Sequence, residues 1–382
     1  MEYSAQLRHK QAVIDALFAP FQAPIYPILP CQEPWSYRNK MEFSFSQNRA
    51  GEQFLGLMLS GGKGRVFHLT ECRLASPWHA RAVAAVRSWW KESGLAAYHH
   101  RLDRGSLRTL TLREGLRTGE RMAVLTVSGN ADFRLARSHL ASFVNAIHAS
   151  SPDTPVSIFL RIQQLCPGTP TQFYEMHLFG PEQITEVLHV DGRAFTYVIS
   201  PSSFFQTNTA QAERLYSRAL SLAALEPGDD LLDLYCGTAS LSIVAAPRVR
   251  CVTGIDLNPH ALFDAARNKE RNQITNLELF CGDVGALLPT LPRKPSCVFL
   301  DPPRSGLGPQ ALRTLLEQKP PKILYISCNP STQAEDVRVL LAEGYRLQAV
   351  QPVDQFPHTV HIENIVLLIP QASLPASPVD AF

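Results

Sequence analysis

Short apolar segments recur through the second half of this chain, and stretches long enough for a helix separate most of them. In order they read DDLLDLYCG, VRCVTGIDLN, LELFCGD, SCVFLDPP, KILYISCNP, YRLQAVQPVD and NIVLLIP. Strand–helix alternation of this kind restricts the fold to a largely parallel, doubly wound sheet. The last two segments are joined by only a short link, about 355–362, too short for a helical crossover. They are expected to pair antiparallel.

The first half has a different rhythm. Residues 4–18 space their apolar side chains as an amphipathic helix. A proline-rich connector, APFQAPIYPILPCQEP, follows and should be extended. Paired strands are expected over 37–68 and 106–128, helices over 77–94 and 132–149, and strand again over 155–178. This half reads as α+β with antiparallel pairing. The pattern changes near residue 195, after which a helix is expected at about 208–224. The expected organisation is an α+β domain over 1–190, a catalytic domain over 191–370 and a loose tail over 371–382.

Composition removes several classes. With 382 residues, 45% hydrophobic and 18% charged, the chain has ordinary globular composition. No apolar run approaches the ~18 residues of a membrane span. The opening MEYSAQLRHKQ has no apolar signal core, so a cytoplasmic protein without a membrane partner is expected. The eight cysteines are scattered, with no C-x-x-C spacing, which argues against a disulfide framework and against structural zinc. No metal is expected. Residues 1–190 hold 20 Lys and Arg against 15 Asp and Glu, whereas 191–382 hold 16 against 19. The mild basic excess permits a polyanion partner for the first half.

Candidate site residues lie at the carboxyl ends of the expected parallel strands, where open α/β sheets bind ligands. LLDLYCGTASLSI has a glycine turn that opens a helix. GIDLNP ends in Asp256, CGD in Asp283 and DPPR in Asp301. Each acid alone reads best as a turn or cap residue. Together they favour a nucleoside-bearing cofactor. No GxxxxGK[ST] is present, so nothing cradles a triphosphate, and S-adenosylmethionine fits better than a dinucleotide. Cys328, in KILYISCNP, is either a buried structural thiol or a nucleophile at the mouth of a site. Its strand alone favours the buried thiol.

The ordered set FFQTN, DLYCG, GIDLNP, DPPRSGL, ISCNP and FPHTVHIE resembles the RNA uracil-C5 methyltransferases, which make 5-methyluridine in transfer and ribosomal RNA. QLRHKQ and EPWSYRNKMEFSFS resemble the N-terminal part of the same family. The resemblance implies a Rossmann-like class I methyltransferase domain preceded by an α+β RNA-binding domain, with S-adenosyl-L-methionine as methyl donor. It implies that Gln206, Tyr235, Gly237, Asp256, Asp283 and Asp301 line the cofactor pocket. It implies Cys328 as nucleophile and Glu363 as general base, with His358 and His361 either orienting the base or uracil, or packing. Only a thiolate attacks, so Cys328 is expected in surroundings that lower its pKa, such as a helix N-terminus near Ser331 and Arg304. Arg101, Arg104, Arg108, Arg113, Arg117 and Arg121, beside Tyr98 and His100, either contact phosphates or form an ordinary solvated face.

Two departures from the family stand out. The turn reads Cys236-Gly237-Thr238-Ala239-Ser240, with alanine where a second glycine is usual. The Ala239 methyl either narrows the approach to the cofactor, or fits if the residue keeps a negative φ. The sequence begins just after the place of the N-terminal barrel and three clustered cysteines of many relatives, so Cys72, at the place of a fourth ligand, is either a relic packed in the core or a sign that the natural chain begins earlier. One thiolate cannot hold an iron–sulfur cluster, so none is expected. Ribosomal RNA is the expected partner ahead of transfer RNA, and a monomer is expected. Two other readings stay open: cytosine-C5 methylation, disfavoured because Cys328 follows serine rather than proline, and a catalytically silent RNA-binding or RNA-folding protein on the same fold.

Overall fold

A computed structural model describes residues 2–371 except 60, 63, 167 and 292. The tail expected beyond 371 lies outside the described residues. The chain forms two compact units. One spans Trp35–Leu188 and Thr196–Thr209. The other is made of the first 34 residues, His189–Phe195 and the stretch from Ala210 onward.

The first unit contains a six-stranded sheet. Its strands are β1 (Lys40–Gln47), β2 (Gln53–Gly56), β3 (Leu107–Glu114), β4 (Arg121–Ser128), β5 (Val156–Gln164) and β6 (Gln172–Phe179), in the order β2-β1-β3-β4-β5-β6. All pairs are antiparallel except β4 with β5. A parallel pair needs a crossover, and the helix Arg137–Ala149 between those strands supplies it. Alternation in β1 turns Met41, Phe43 and Phe45 inward. They meet the helix Pro77–Ser93, whose Trp78, Val83, Val86 and Trp90 complete this core. That helix has the start and stop chemistry its sequence advertises, Ser76-Pro77 at one end and Gly94 at φ 69° at the other. A hairpin of β7 (Ile184–Val190) and β8 (Arg193–Ile199) follows.

The second unit begins with the helix Tyr3–Phe18, here α1. Its sheet is formed by β9 (Asp230–Leu234), β10 (Cys251–Asp256), β11 (Leu277–Cys281), β12 (Cys297–Leu300), β13 (Ile323–Ser327), β14 (Tyr345–Val353) and β15 (Glu363–Pro370). The order is β11-β10-β9-β12-β13-β15-β14. The first five strands run parallel, and β15 inserts antiparallel between β13 and β14. The strand order reverses between β9 and β12, the topological switch point at which such sheets bind ligands.

The expected boundary at residue 190 needs correction at the amino end. Ile14 and Phe18 of α1 are fully buried in the core of the second sheet, together with Leu340, Tyr345 and Val350. The connector expected to be extended begins instead with a 3-10 turn, Ala19–Phe21, closed by Gln22 at φ 54°; beyond it the chain is extended and runs along the free edge of β14. The Tyr26 and Leu29 amides donate to the carbonyls of Val350 and Pro352 at 2.8 and 2.9 Å. The connector's prolines, which have no N–H, fall at 20, 24, 27, 30 and 34, so the residues that must donate are free to do so. Among the described residues, no helix is long and apolar enough to cross a membrane.

Candidate active site

The loops that follow β9 to β13, together with the β14–β15 loop that leads into Glu363, carry the residues singled out above in the second unit. The first joins β9 to the helix Ser240–Ala245. Three of its residues take left-handed backbone: Tyr235 at φ 64°, Gly237 at 55° and Ala239 at 58°. Of the two alternatives for Ala239, the one that needs a negative φ is therefore ruled out. Ala239 is fully buried as the N-cap of the helix, where a short methyl is tolerated at a cost of roughly 1–2 kcal/mol. Its amide donates to Cys236 O at 2.8 Å, which closes the turn.

Asp256, at the end of β10, holds this turn in place. Its Oδ2 accepts the Gly237 amide at 2.8 Å, and its Oδ1 accepts the Asn258 amide at 2.8 Å. Each oxygen keeps a second lone pair for a ligand. A side chain at Gly237 would meet no atom within 4 Å, so the turn leaves open space beside it. Leu257, next to Asp256, is 69% exposed and offers an apolar edge. An open turn, a carboxylate and an apolar edge suit the ribose and adenine of a nucleoside. Asp283 is exposed, and its Oδ1 caps the next helix by accepting the Ala286 amide at 3.1 Å. Tyr235 is pushed up to about 12 by burial and by the charges of Asp283 and Asp336.

Asp301 follows β12. Burial, with the charge of Asp233 second, raises it to about 7. Asp233 was not among the expected site residues. It is buried in β9, accepts a hydrogen bond from Ser242 Oγ, and is likewise raised to about 7 by burial. An acid in the middle of the apolar run LLDL was its only signal. Gln206 belongs to the other compact unit, where Asn39 Nδ2 donates to its carbonyl at 3.0 Å.

Cys328 and Glu363 are neighbours across β13 and β15. Ser327 pairs with Asn364 in that antiparallel register, so the residue after one faces the residue before the other. Glu363 is 3% exposed, and burial raises its pKa well above the carboxylate range. The charge of Asp301 adds to this, and Arg304 opposes it. Cys328 is half-buried in a cavity of about 290 Å³ lined by Val13, Arg304, Asn329, Val360, His361 and others. Its pKa is raised rather than lowered. Burial is the main cause and the Glu363 charge the next, while the Arg304 guanidinium, hydrogen-bonded to the thiol, pulls the other way. The expected activating partner is therefore present but outweighed. The helix Pro330–Ala342 does start beside the thiol, behind Asn329.

Arg304 is held from both ends. Its carbonyl accepts Asn329 Nδ2 at 2.9 Å, and its Nη2 lies 2.8 Å from His361 Nδ1. Gly306, two residues on, sits at φ 78°, where a Cβ would come within 2.7 Å of Asp336 Oδ2. That oxygen also accepts the Leu307 amide and the Tyr325 hydroxyl, at 2.9 and 2.8 Å. His358 takes left-handed backbone, φ 61°, and is gripped by Gln6 through its amide and ring, both at 2.9 Å.

The six arginines of the first unit do not form one face. Arg113 is buried and donates to Ser203 O at 3.0 Å, Arg121 pairs with Glu114 at 3.2 Å, and Arg108 lies over the Tyr98 ring. Cys72 packs partly buried against the core of that unit.

Comparison with known proteins adds three findings. The sequence pattern of the tRNA (uracil-5-)-methyltransferase family matches residues 175–281 and 293–371. An uncharacterized RNA methyltransferase of Protochlamydia amoebophila is 48% identical over 96% of this chain and 87% of its own length, and one of Chlamydia trachomatis is 37% identical over 96% and 94%. Among solved structures, the Pyrococcus abyssi tRNA (uracil-54, C5)-methyltransferase in complex with S-adenosyl-L-homocysteine superposes with a TM-score of 0.75. It shares 26% identity over 97% of this chain and 84% of that one.

Proposed function

The chain belongs to the tRNA (uracil-5-)-methyltransferase family, and from that premise we propose that it methylates carbon 5 of a uridine in ribosomal RNA through a covalent Cys328 adduct. It is an S-adenosylmethionine-dependent RNA methyltransferase. The observation that carries the finer reading is the register that sets a thiol and a buried carboxylate side by side, with an arginine on the thiol.

In this reading the Cys328 thiolate adds to carbon 6 of the uracil. The carbon 6–sulfur bond forms, and the pair of the 5,6 double bond moves toward carbon 5 and oxygen 4 as an enolate. Arg304 and His361 line the cavity that receives the ring. When bound, S-adenosylmethionine supplies a methyl carbon on a sulfonium, an electrophile that carbon 5 attacks and that leaves as S-adenosylhomocysteine. Glu363, as carboxylate, then takes the proton from carbon 5. The pair returns to the 5,6 double bond, and the thiolate of Cys328 leaves. Gln206, Tyr235, Gly237, Asp256, Asp283 and Asp301 are the residues proposed to hold the cofactor. The target base must leave its stack to reach a cavity of this kind.

Transfer RNA is the second reading, favoured by the substrate of the Pyrococcus abyssi tRNA (uracil-54, C5)-methyltransferase. One experiment separates both from a silent binder. RNA containing 5-fluorouridine is mixed with the protein and S-adenosylmethionine, in ribosomal and transfer pools separately. Fluorine cannot leave as a proton, so the reaction stops as an adduct that survives denaturing electrophoresis. The expected result is an adduct in wild type that is lost in Cys328→Ala, with the pool naming the substrate. An adduct that persists in Cys328→Ala overturns the nucleophile, and no adduct in either pool overturns the reaction.

A further inference from the structure

The loop between β14 and β15, residues 354–362, leads directly into Glu363, and α1 is fastened to it by three side chains. Tyr3, Gln6 and Lys10 stand at spacings of three and four, one face of the helix. Lys10 is 3% exposed, and each of its three N–H bonds has an acceptor: Asp354 Oδ1 at 2.6 Å, His361 O at 2.8 Å and Phe356 O at 3.1 Å. Asp354 is fully buried, and its second oxygen accepts the Tyr3 hydroxyl at 2.7 Å. That hydroxyl in turn accepts the Cys31 amide at 2.7 Å. Gln6 grips His358 at two points, which holds a non-glycine residue in left-handed backbone. Such a conformation persists only where its surroundings over-determine it.

Nothing in the composition of α1 requires this. A helix that served only to cover the sheet would need its apolar face, and Ile14 and Phe18 already provide that. The Tyr3–Gln6–Lys10 face instead fixes main-chain atoms of Phe356, His358 and His361, and His361 carries Arg304 on its ring. Val13, one helical turn further, lines the cavity at Cys328.

We propose that α1 is a positioning element for the reaction: Lys10, with Gln6 and Tyr3, sets the 354–362 loop so that the Glu363 carboxylate meets the proton on carbon 5. The proposal rests on the reading of Glu363 as the base, and it concerns the second half of the reaction. Attack by Cys328 and methylation precede it. Loss of the clamp therefore slows the proton-removal step and leaves a methylated protein–RNA adduct behind.

The test compares Gln6→Ala, Tyr3→Phe and Lys10→Met with Glu363→Gln, all in the full chain. Lys10→Met strands a buried carboxylate and can fail to fold, so Gln6→Ala, at a half-buried position, decides. On ordinary uridine RNA, Gln6→Ala is expected to lose turnover by roughly 10- to 100-fold, the scale of a base displaced by about 1 Å. The same variant is expected to accumulate a denaturation-resistant adduct, as Glu363→Gln does. On 5-fluorouridine RNA, which never needs the base, its adduct forms within about threefold of the wild-type rate, the scatter of a step left untouched. In the free protein, amide hydrogen exchange over 354–362 is expected to accelerate. If Glu363→Gln traps an adduct while Gln6→Ala turns over as wild type, or slows both RNAs equally, the clamp has no positioning role. If Glu363→Gln itself turns over normally, the base is misassigned and the proposal falls with it.

Discussion

Glu363 stands across from Cys328 because one antiparallel strand, β15, was threaded between two others. The pairing of Ser327 with Asn364 fixes it. Parallel strands alone would have left both groups on separate loops with no defined spacing. The inserted strand converts a separation of dozens of residues in sequence into an adjacent pair, and it explains why the Glu363 charge raises the pKa of Cys328.

Both members of that pair must lose a proton to act, and burial resists it in both. A folded-state pKa above the ordinary value means that the working, ionised form is reached only at higher pH. The rate of 5-fluorouridine adduct formation is therefore expected to rise with pH, with a midpoint above the ~8.5 of a free thiol. Arg304→Met removes the one influence that lowers the Cys328 pKa and shifts the midpoint further up. A midpoint that moves down in this variant would contradict the assignment.

Asp256 is expected to act on the cofactor through the turn it braces as well as by contact. Asp256→Ala frees the Gly237 amide and removes an acceptor at once. Thermal-shift titration with S-adenosylmethionine should give an at least tenfold larger Kd, read from the relation RT ln(1 + [L]/Kd) between stabilisation and ligand concentration. Equal shifts in both proteins would remove Asp256 from the cofactor pocket.

Asp233 gives a stability signature independent of any substrate. Its pKa is raised to about 7 on folding. A raised acid contributes most below the unfolded value near 4, and that contribution is lost as pH rises toward 7. Asp233→Asn has no such loss, and Ser242 can still donate to the amide oxygen. The variant should gain on wild type in thermal melts between about pH 4 and 7, by on the order of 3–4 kcal/mol at most. A gap that stays constant with pH would show that Asp233 is ionised throughout.

Gly306→Ala tests how firmly the Arg304 loop is built. An L-residue at φ 78° costs roughly 1–2 kcal/mol, and the new methyl would crowd the Asp336 oxygen that accepts Leu307. A lower melting temperature and a slower 5-fluorouridine adduct are expected, with cofactor binding retained. Wild-type adduct kinetics would mean that the loop tolerates displacement without consequence for Cys328.

The parallel sheet, its antiparallel end and most helices were legible in the sequence, because periodicity and link length are local properties. The strand-end acids were legible as a set, although what each one grips was not. Asp283 caps a helix and Asp256 braces a turn while still facing the cofactor end. The conformation of Ala239 was left open because a lone alanine carries no mark of the turn around it. The electrostatic balance at Cys328 was also out of reach, since it depends on Glu363 and Asp301 arriving from other strands. The role of QLRHKQ was hidden for the same reason: it was visible as a motif, and its partners lie at the opposite end of the chain.

That last separation bears on how the protein comes into being. Lys10 and Asp354 are 344 residues apart, so the first helix leaves the ribosome long before the residues that receive it exist. At ~5–20 residues per second, synthesis alone imposes a wait of roughly 20–70 seconds. Until then α1 is an amphipathic segment without a home, and a chain stopped short of β15 has neither clamp nor carboxylate. A chain that ends between Cys328 and Glu363 is thus born without the carboxylate proposed to finish the reaction, which makes completion of β15 the last event that readies the site.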